Sequence, residues 1–261
     1  MYNFEFEKPT TVADAVAALS SDEAQALGGG QTLLPTMKQR LAMPEKLVSL
    51  TGIAEMKGVS AAAGTLTIGG GTTHKTVADE ASAYPALAAL ASNIGDPAVR
   101  NRGTIGGSLA NNDPSACYPS AALASGATIV TNAREIAADD YFQGMFTTAL
   151  DEGEIITSVK FPIPEKANYQ KFEQPASRFA LVGVYVAKYA DGVRVAVTGA
   201  SEEGVFRWSE AEAALSSNFS ASALEGLSVP ADGMIADLHG TAAYRAHLVG
   251  VLTKRAVTAA A

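Results

Sequence analysis

Three glycine-rich turns in the N-terminal half constrain the fold of this chain more than any other feature: Gly28–Gly30, Gly69–Gly71 and Gly103–Gly107, here called the first, second and third glycine turns. The first turn follows the short apolar run Ala24–Leu27. After it, Leu33, Leu34, Met37 and Leu41 lie on one helical face, and Lys46–Leu50 predicts a strand. If Ala24–Leu27 and Lys46–Leu50 are parallel neighbouring strands, the crossover between them is right-handed. The first glycine turn then opens at the carboxyl edge of the sheet, where ligands bind.

The residues around the other turns predict further helices and strands. Thr10–Ser20 carries apolar residues at helical spacing, and Tyr84–Ile94 is rich in alanine and leucine and is predicted to be helical. The second glycine turn ends the predicted strand Thr65–Gly71, and a helix is expected to begin near Thr73. By contrast, Asn101–Gly107 is rich in turn-forming residues and is predicted to be an ordered loop.

The character of the chain changes in its last third. Asp191-Gly192 lies between the apolar runs Ala180–Tyr189 and Val193–Thr198, a pattern typical of a β-hairpin. Two helical stretches follow it, Ser209–Leu215 and Thr241–Val257. We therefore expect a mixed α+β chain, in which a smaller unit of antiparallel sheet plus helices begins near residues 162–168.

Composition and charge narrow the classes of function. The net charge of -8 disfavours nucleic acid as the main partner, and no apolar run reaches the roughly 20 residues that cross a bilayer. The single cysteine, Cys117, is typical of a reducing compartment, so a cytoplasmic location is expected. One thiol does not provide the usual four ligands of an iron–sulfur cluster, and the three histidines lack zinc-site spacing, so no metal centre is predicted.

Consecutive glycines allow backbone amides to converge on an anion, and pyrophosphate is the natural occupant of such a turn. The known fingerprints do not fit. Gly28–Leu33 lacks the third glycine of a dinucleotide-binding motif, and Gln31 stands where a P-loop needs lysine. Gly106–Ala110 ends in alanine, whereas a nucleophile elbow needs glycine. The residues alone leave two interpretations, an anion site of unnamed occupant and a set of plain tight turns.

Four further side chains also keep two interpretations each. Cys117 is predicted to be an inert buried thiol, since a nucleophilic role would need a nearby base. His74, just after a glycine turn, either contacts a ligand or is a surface or helix-cap residue. Arg100 and Arg102 either clamp a phosphate or are solvated in their loop.

Two long motifs resemble one known family. The first is LGGGQTLLP, Leu27–Pro35, with Lys38 and Arg40 after it, and the second is IGDPAVRNRGTIGGSLAN, Ile94–Asn111. Three shorter segments fall in the family's order: Gly153–Ile156, Phe161-Pro162 and Ala176–Gly183. Over nearly its whole length the chain resembles the FAD-binding medium subunit of molybdenum hydroxylases, a family that includes carbon monoxide dehydrogenase and the flavin domain of xanthine dehydrogenase.

The resemblance implies a vanillyl-alcohol-oxidase-type FAD-binding fold in two subdomains, residues 1–55 and 56–165, followed by a small C-terminal domain, residues 166–261. It implies non-covalently bound FAD, because no histidine or cysteine in the sequence is required to attach the flavin covalently. The cofactor-binding residues that it implies are Gly28, Gly29, Gly30, Gln31, Thr32, Leu33, Thr72, Ile94, Gly103, Thr104, Gly106, Gly107, Ser108, Asn111, Asp113, Cys117, Ile156 and Phe179.

The resemblance also implies roles for these residues. Backbone amides of Gly28–Thr32 would hold the FAD pyrophosphate, and Gly103–Ser108 would complete that cradle. Asp113 would approach the ribityl or ribose hydroxyls, Ile156 would pack on the isoalloxazine ring, and the loop Ala176–Phe179 would cover its other side.

Cys117 departs from the family pattern. Relatives often carry an aspartate at this place, where it accepts a hydrogen bond from a flavin hydroxyl, and an uncharged thiol is a poorer acceptor. FAD affinity is therefore expected to depend more on Asp113 and on backbone groups.

The function that the resemblance implies is electron transfer within an oxidoreductase. Electrons would come from a small iron–sulfur subunit, itself fed by a molybdopterin-binding large subunit, and would pass to an external acceptor. Molybdopterin and iron–sulfur clusters are expected only in those partners. The alternatives are a self-contained FAD-dependent oxidase of a small substrate, and a binding or assembly protein with an empty flavin fold.

Overall fold

A computed structural model describes residues 1–21 and 23–260, and within them the strands form four sheets. The elements of the first sheet and its helices are β1 (Glu5–Glu7), α1 (Val12–Leu19), β2 (Ala24–Leu27), α2 (Leu33–Lys38) and β3 (Lys46–Ser49). Both β1 and β2 pair with β3 in parallel. The condition that the two strands are parallel neighbours is met, and because Leu27 is the last residue of β2, the first glycine turn opens at the carboxyl edge of this sheet.

Helix α2 is shorter than the apolar spacing predicts. Arg40 adopts a left-handed φ of +62°, its amide donates to Met37 O, and the amide of Leu41 donates to Thr36 O. These two bonds close a Schellman motif, which ends the helix. The prediction that Leu41 lies on the same helical face as Leu33, Leu34 and Met37 is wrong, because α2 ends at Lys38 and Leu41 is 75% exposed.

The second sheet has five antiparallel strands in the order β4-β5-β10-β6-β7, and a separate two-stranded sheet pairs β8 with β9. The elements of this part are β4 (Val59–Ala62), β5 (Thr65–Gly69), α3 (His74–Glu80), α4 (Pro85–Ser92), α5 (Pro97–Arg100), α6 (Ile105–Asn111), α7 (Tyr118–Ala124), β6 (Thr128–Thr131), β7 (Glu135–Ala137), α8 (Ala138–Tyr141), β8 (Phe142–Gly144), β9 (Thr147–Thr148) and β10 (Ile156–Pro162). The strand expected before the second glycine turn is confirmed.

The prediction of a loop at Asn101–Gly107 is wrong for its second half, because α6 begins at Ile105. Thr104 caps this helix: its Oγ1 accepts the amide of Gly107 at 3.2 Å. The side chains of Ile105 and Leu109 are fully buried. Tertiary packing and a cap therefore stabilise a helix despite its two glycines.

The third sheet is the antiparallel one expected after residue 162. Its elements and helices are β11 (Lys166–Glu173), β12 (Ala180–Tyr189), β13 (Gly192–Ser201), β14 (Gly204–Arg207), α9 (Ser209–Ser217) and α10 (Ala242–Ala260). The predicted hairpin is confirmed, since Tyr189 pairs with Gly192, whose φ is +154°. Helix α7 of the preceding part packs against β12 and β13.

The predicted mixed α+β architecture is confirmed by these sheets and helices. The division into residues 1–55, 56–165 and 166–261 stays a prediction. Among residues 1–21 and 23–260, no helix combines the length and the apolar character that a membrane crossing requires.

Candidate functional site

All the predicted cofactor-binding residues except Thr72 line one cavity of about 510 Å³. The cavity has contributions from the first, second and third glycine turns, from the start of β10 and from the loop between β11 and β12. The structure thus brings together residues that are up to 151 positions apart in the chain, from Gly28 to Phe179.

Thr72 lies behind the wall of this cavity and supports it. It is 2% exposed, and its hydroxyl accepts the amide of Gly58 at 2.9 Å and lies 3.1 Å from Gly58 O. Its carbonyl accepts the amide of Ile105, the first residue of α6. The side chain therefore joins two loops instead of facing a ligand.

The first glycine turn presents unused backbone donors. Among the described residues, no acceptor receives the amide of Gly29, Gly30, Gln31 or Thr32. All four of these residues line the cavity, and Gly30 has a left-handed φ of +71° that glycine adopts without strain. Successive free amides of this kind bind anionic oxygens.

The third glycine turn uses its donors inside the protein. The amide of Gly106 donates to Gly70 O at 2.9 Å, and the amide of Ser108 donates to Thr104 O at 3.0 Å. Together with the cap on the amide of Gly107, these bonds fix the beginning of α6. The third glycine turn therefore forms part of the cavity wall, and these amides are not free to bind a ligand.

The glycines let the three turns touch backbone to backbone. A Cβ atom on Gly29 would lie 2.0 Å from Arg102 O, and one on Gly106 would lie 2.6 Å from Gly70 O. One on Gly70 would lie 2.1 Å from Ile156 O. Any larger residue at these positions would force the segments apart, so the cavity wall requires glycine there.

Asp113 and Cys117 line another side of the cavity. Asp113 Oδ1 accepts the amide of Ser115 at 2.8 Å, and burial raises the pKa of this carboxyl. Burial also raises the pKa of the Cys117 thiol, although Lys171 Nζ lies 3.9 Å from its sulfur. The predicted inert, buried thiol agrees with this environment.

Glu154 anchors the wall that carries Ile156. One Glu154 oxygen accepts the Thr131 hydroxyl at 2.6 Å, and both oxygens accept bonds from the guanidinium of Arg134, at 3.1 and 3.0 Å. Burial raises the pKa of Glu154, but the bonds from Arg134 and Thr131 outweigh burial and lower it to about 2. Glu154 is therefore an ionised structural anchor at neutral pH.

The loop that ends in Phe179 forms the cavity's edge, and Lys171 holds it in place. Lys171 Nζ donates to Arg178 O at 2.9 Å and to Asn93 O at 2.5 Å. The amide of Gln174 donates to Phe179 O at 2.9 Å, which closes the loop on itself. Phe179 is 50% exposed, so its ring is available at the mouth of the cavity.

The structure distinguishes between the two interpretations left open for His74, Arg100 and Arg102. His74 lines the cavity and is 5% exposed, whereas Arg100 and Arg102 do not line it. Arg100 Nη1 instead donates to Ile94 O and Gly95 O, at 3.0 and 2.8 Å. The phosphate-clamp interpretation of these arginines has no support, and Arg100 orders the turn that carries Ile94.

Several cavity residues were missed by sequence reasoning: Leu50, Thr51, Met56, Gly70, Gly71 and Ser115. Gly70 and Gly71 belong to the second glycine turn, so the turn itself was the signal. Met56 lies in a short 3-10 helix with no chemical motif, and only the tertiary fold brings it to the cavity. Among residues 1–21 and 23–260, no group of three or more His, Cys, Asp or Glu residues is placed to hold a metal ion.

Comparison with known proteins shows the family of this chain. Residues 2–164 match the family described as the FAD binding domain in molybdopterin dehydrogenase. The chain belongs to this family. The predicted cofactor, FAD, and the predicted enzyme class, oxidoreductase, are therefore confirmed.

Full-length relatives agree with the family match. The carbon monoxide dehydrogenase medium chain of Hydrogenophaga pseudoflava is 32% identical and is matched over 98% of this chain and 96% of its own. The nicotine 6-hydroxylase medium subunit of Paenarthrobacter nicotinovorans is 33% identical over the same shares. A solved structure of quinoline 2-oxidoreductase from Pseudomonas putida 86 superposes with a TM-score of 0.88 at 29% identity, covering 99% of this chain and 97% of that one.

The residues present fit FAD on structural grounds. The free amides of the first glycine turn suit an anionic pyrophosphate, and the close backbone contacts of Gly29, Gly70 and Gly106 hold the cavity wall together around them. At about 510 Å³ the cavity is in the range of small-molecule and cofactor sites.

Proposed function

We propose that this chain is the electron-transfer subunit of a heteromeric molybdenum-hydroxylase-type dehydrogenase. In this proposal it receives electrons from a small iron–sulfur subunit, which a molybdopterin-binding large subunit supplies, and passes them to an external acceptor. The observation that carries the proposal is the single cavity in which free amides of the first glycine turn meet the other predicted FAD-binding residues.

The amides of Gly29–Thr32 bind the pyrophosphate of FAD, and the third glycine turn closes the other side of this cradle. Asp113, fixed by its bond from Ser115, would approach the sugar or ribityl hydroxyls. Ile156, which lines the cavity, would pack against the ring, and the loop of Phe179 would exclude water from it. FAD, when bound, supplies a ring that stores two electrons, so the protein's task is to bind, orient and shield it.

Partner subunits are proposed from the names and lengths of the relatives. They are medium chains or medium subunits, and this chain covers 96% of the first of them. The one cysteine also leaves the chain without the thiolates of an iron–sulfur cluster. We further propose the division into residues 1–55, 56–165 and 166–261, with the FAD cradle in the first two, and a cytoplasmic location.

Purification of the full chain, alone and together with the products of neighbouring genes, tests the proposal. The chain alone should be yellow or should bind added FAD, and the co-expressed chain should elute with a molybdenum-containing and an iron–sulfur subunit. Its flavin should be reduced by substrate only within that complex. A colourless protein that ignores FAD, or a flavin reduced by a small substrate with no partner present, would overturn the proposal.

A further inference from the structure

His74 occupies a position at the FAD cradle that no assigned role explains. It is the first residue of α3, and its amide donates to Gly103 O at 2.9 Å, which ties it to the third glycine turn. Its imidazole packs edge-on against the same glycine: a Cβ atom on Gly103 would lie 2.5 Å from His74 Nε2. The Tyr118 ring lies on another side, with the ring centroids 5.3 Å apart.

The two ring nitrogens of His74 have different surroundings. Nδ1 is buried and has no hydrogen-bond partner among the described residues. The Nε2 edge lies at Gly103, which lines the cavity together with His74, so it is the edge that the ring presents there. A buried N–H without an acceptor is rarer than an acceptor without a donor, so the proton belongs on Nε2.

Protonation of the whole ring is also disfavoured. It would put a second N–H at the partnerless Nδ1, and burial, with the nearby Arg100 charge, lowers the pKa of His74 to about 4. At neutral pH the imidazole is therefore an uncharged donor through Nε2.

We propose that His74 Nε2–H donates a hydrogen bond to a phosphate oxygen of FAD at the meeting point of the first and third glycine turns. Gly103 joins the two features, because its Cα would lie 2.6 Å from a Cβ on Gly29, whose amide is free. Nε2 thus lies on the side of the cavity where the pyrophosphate is proposed to bind. This inference rests on the proposed function and adds a side-chain donor to a cradle otherwise built from backbone.

Three variants of the full chain distinguish the two nitrogens. His74→Phe keeps the ring's bulk without a donor, His74→Gln places an amide N–H near the Nε2 position, and His74→Asn places one near the Nδ1 position. We expect the Phe and Asn variants to bind FAD about tenfold more weakly by flavin fluorescence quenching, and the Gln variant to stay within about threefold of the wild type. Melting temperatures of the apo variants control for folding.

Two more measurements locate the contact. The Phe variant should lose about the same factor in affinity for ADP, which has a pyrophosphate, and none for riboflavin, which lacks phosphate. In the ¹⁵N NMR spectrum of the wild-type apo chain, His74 should be the neutral Nε2–H tautomer. Equal FAD affinity of wild type and His74→Phe, a loss for riboflavin, or an Nδ1–H tautomer would overturn the inference. Failure of the wild type itself to bind FAD would instead overturn the proposed function.

Discussion

In the first glycine turn the amides of Gly29 to Thr32 have no acceptor among the described residues, whereas in the third the amides of Gly106, Gly107 and Ser108 each have one. The surroundings differ as well. The first turn follows a strand of a three-stranded sheet with a small core, and the third begins a helix inside the largest hydrophobic cluster. Two similar glycine-rich sequences thus differ in role: the first turn presents free backbone donors, and the third is packed inside the protein and supports the cavity wall.

The difference shows that glycine serves two purposes at one site. At Gly30 it allows a left-handed backbone that leaves amides free, and at Gly106 it allows the close approach of a neighbouring strand end. Variants of the first turn should therefore act mainly on FAD affinity, and variants of the third mainly on stability.

The largest effect is expected from Gly106→Ala. The new Cβ would lie 2.6 Å from Gly70 O and 3.0 Å from Gly70 Cα, both backbone atoms that have little room to move. We expect the apo protein to lose about 3 kcal/mol, or about 8 °C in melting temperature. Gly250→Ala in α10 is the matched control, since a Cβ there meets nothing within 4 Å. Equal melting temperatures for the two variants would contradict the support role of the third turn.

Gly29→Ala should separate affinity from stability. Its Cβ would lie 2.0 Å from Arg102 O, so the first turn must move away from the third and its free amides must shift. FAD affinity should fall about 30-fold or more, measured by equilibrium dialysis, while the apo melting temperature falls less than in Gly106→Ala. Gln31→Ala, which keeps the backbone amide and removes an exposed side chain and its 3.3 Å bond from Nε2 to Gly29 O, should change affinity less than about threefold. If Gln31→Ala were as weak as Gly29→Ala, side chains and not amides would hold the cofactor.

A smaller loss of stability is expected from Glu154→Gln. This variant tests whether the Glu154 anchor in the neighbouring wall also stabilises the third glycine turn. Gly106 rests on Gly70, and the Gly70 amide donates to Thr157 O in β10, just after the Glu154 anchor. Loss of the ionised pair with Arg134 should cost about 1.5 kcal/mol at pH 7. The exposed Glu152→Gln is the control.

The pH dependence of this pair has a defined sign. The folded pKa of Glu154, about 2, lies below its ordinary value of 4.5, so its stabilisation is present above about pH 4.5 and is lost as the pH falls toward 2. The melting-temperature gap between wild type and Glu154→Gln should therefore narrow over that range. A gap that is constant from pH 7 to pH 3 would mean that the charge of Glu154 contributes nothing.

Local patterns allowed much of the fold to be predicted. The order strand, glycine turn, helix and strand followed from signals within 26 residues, Ala24–Ser49, and the Asp191-Gly192 hairpin followed from turn chemistry. Leu41 was placed wrongly because the apolar spacing continues beyond the helix end, which depends on a left-handed Arg40 and not on a glycine. Helix α6 was missed because its stability comes from buried Ile105 and Leu109.

The resemblance named residues that the structure brings to one cavity, but it could not show in which direction each side chain points. Thr72 adjoins a glycine turn in the sequence, but its hydroxyl points to Gly58. Met56 and Ser115 reach the cavity through contacts between residues that are distant in sequence. The sequence also does not distinguish the glycine turn with free amides from the one with bonded amides, because that difference depends on tertiary contacts.

The smallest effect is expected at Cys117. Its substitution compares the contribution of one cavity side chain to FAD affinity with the contribution of the first-turn amides. Cys117→Asp would place a strong acceptor at the cavity wall, and the buried Lys171 ammonium, now 3.9 Å from the sulfur, would compensate its charge. We expect FAD to bind about threefold more tightly, and Cys117→Ser, an uncharged variant of similar size, to match the wild type. Both are measured by fluorescence quenching beside Gly29→Ala. A gain larger than the loss in Gly29→Ala would show that this wall, and not the amides of the first turn, sets the affinity.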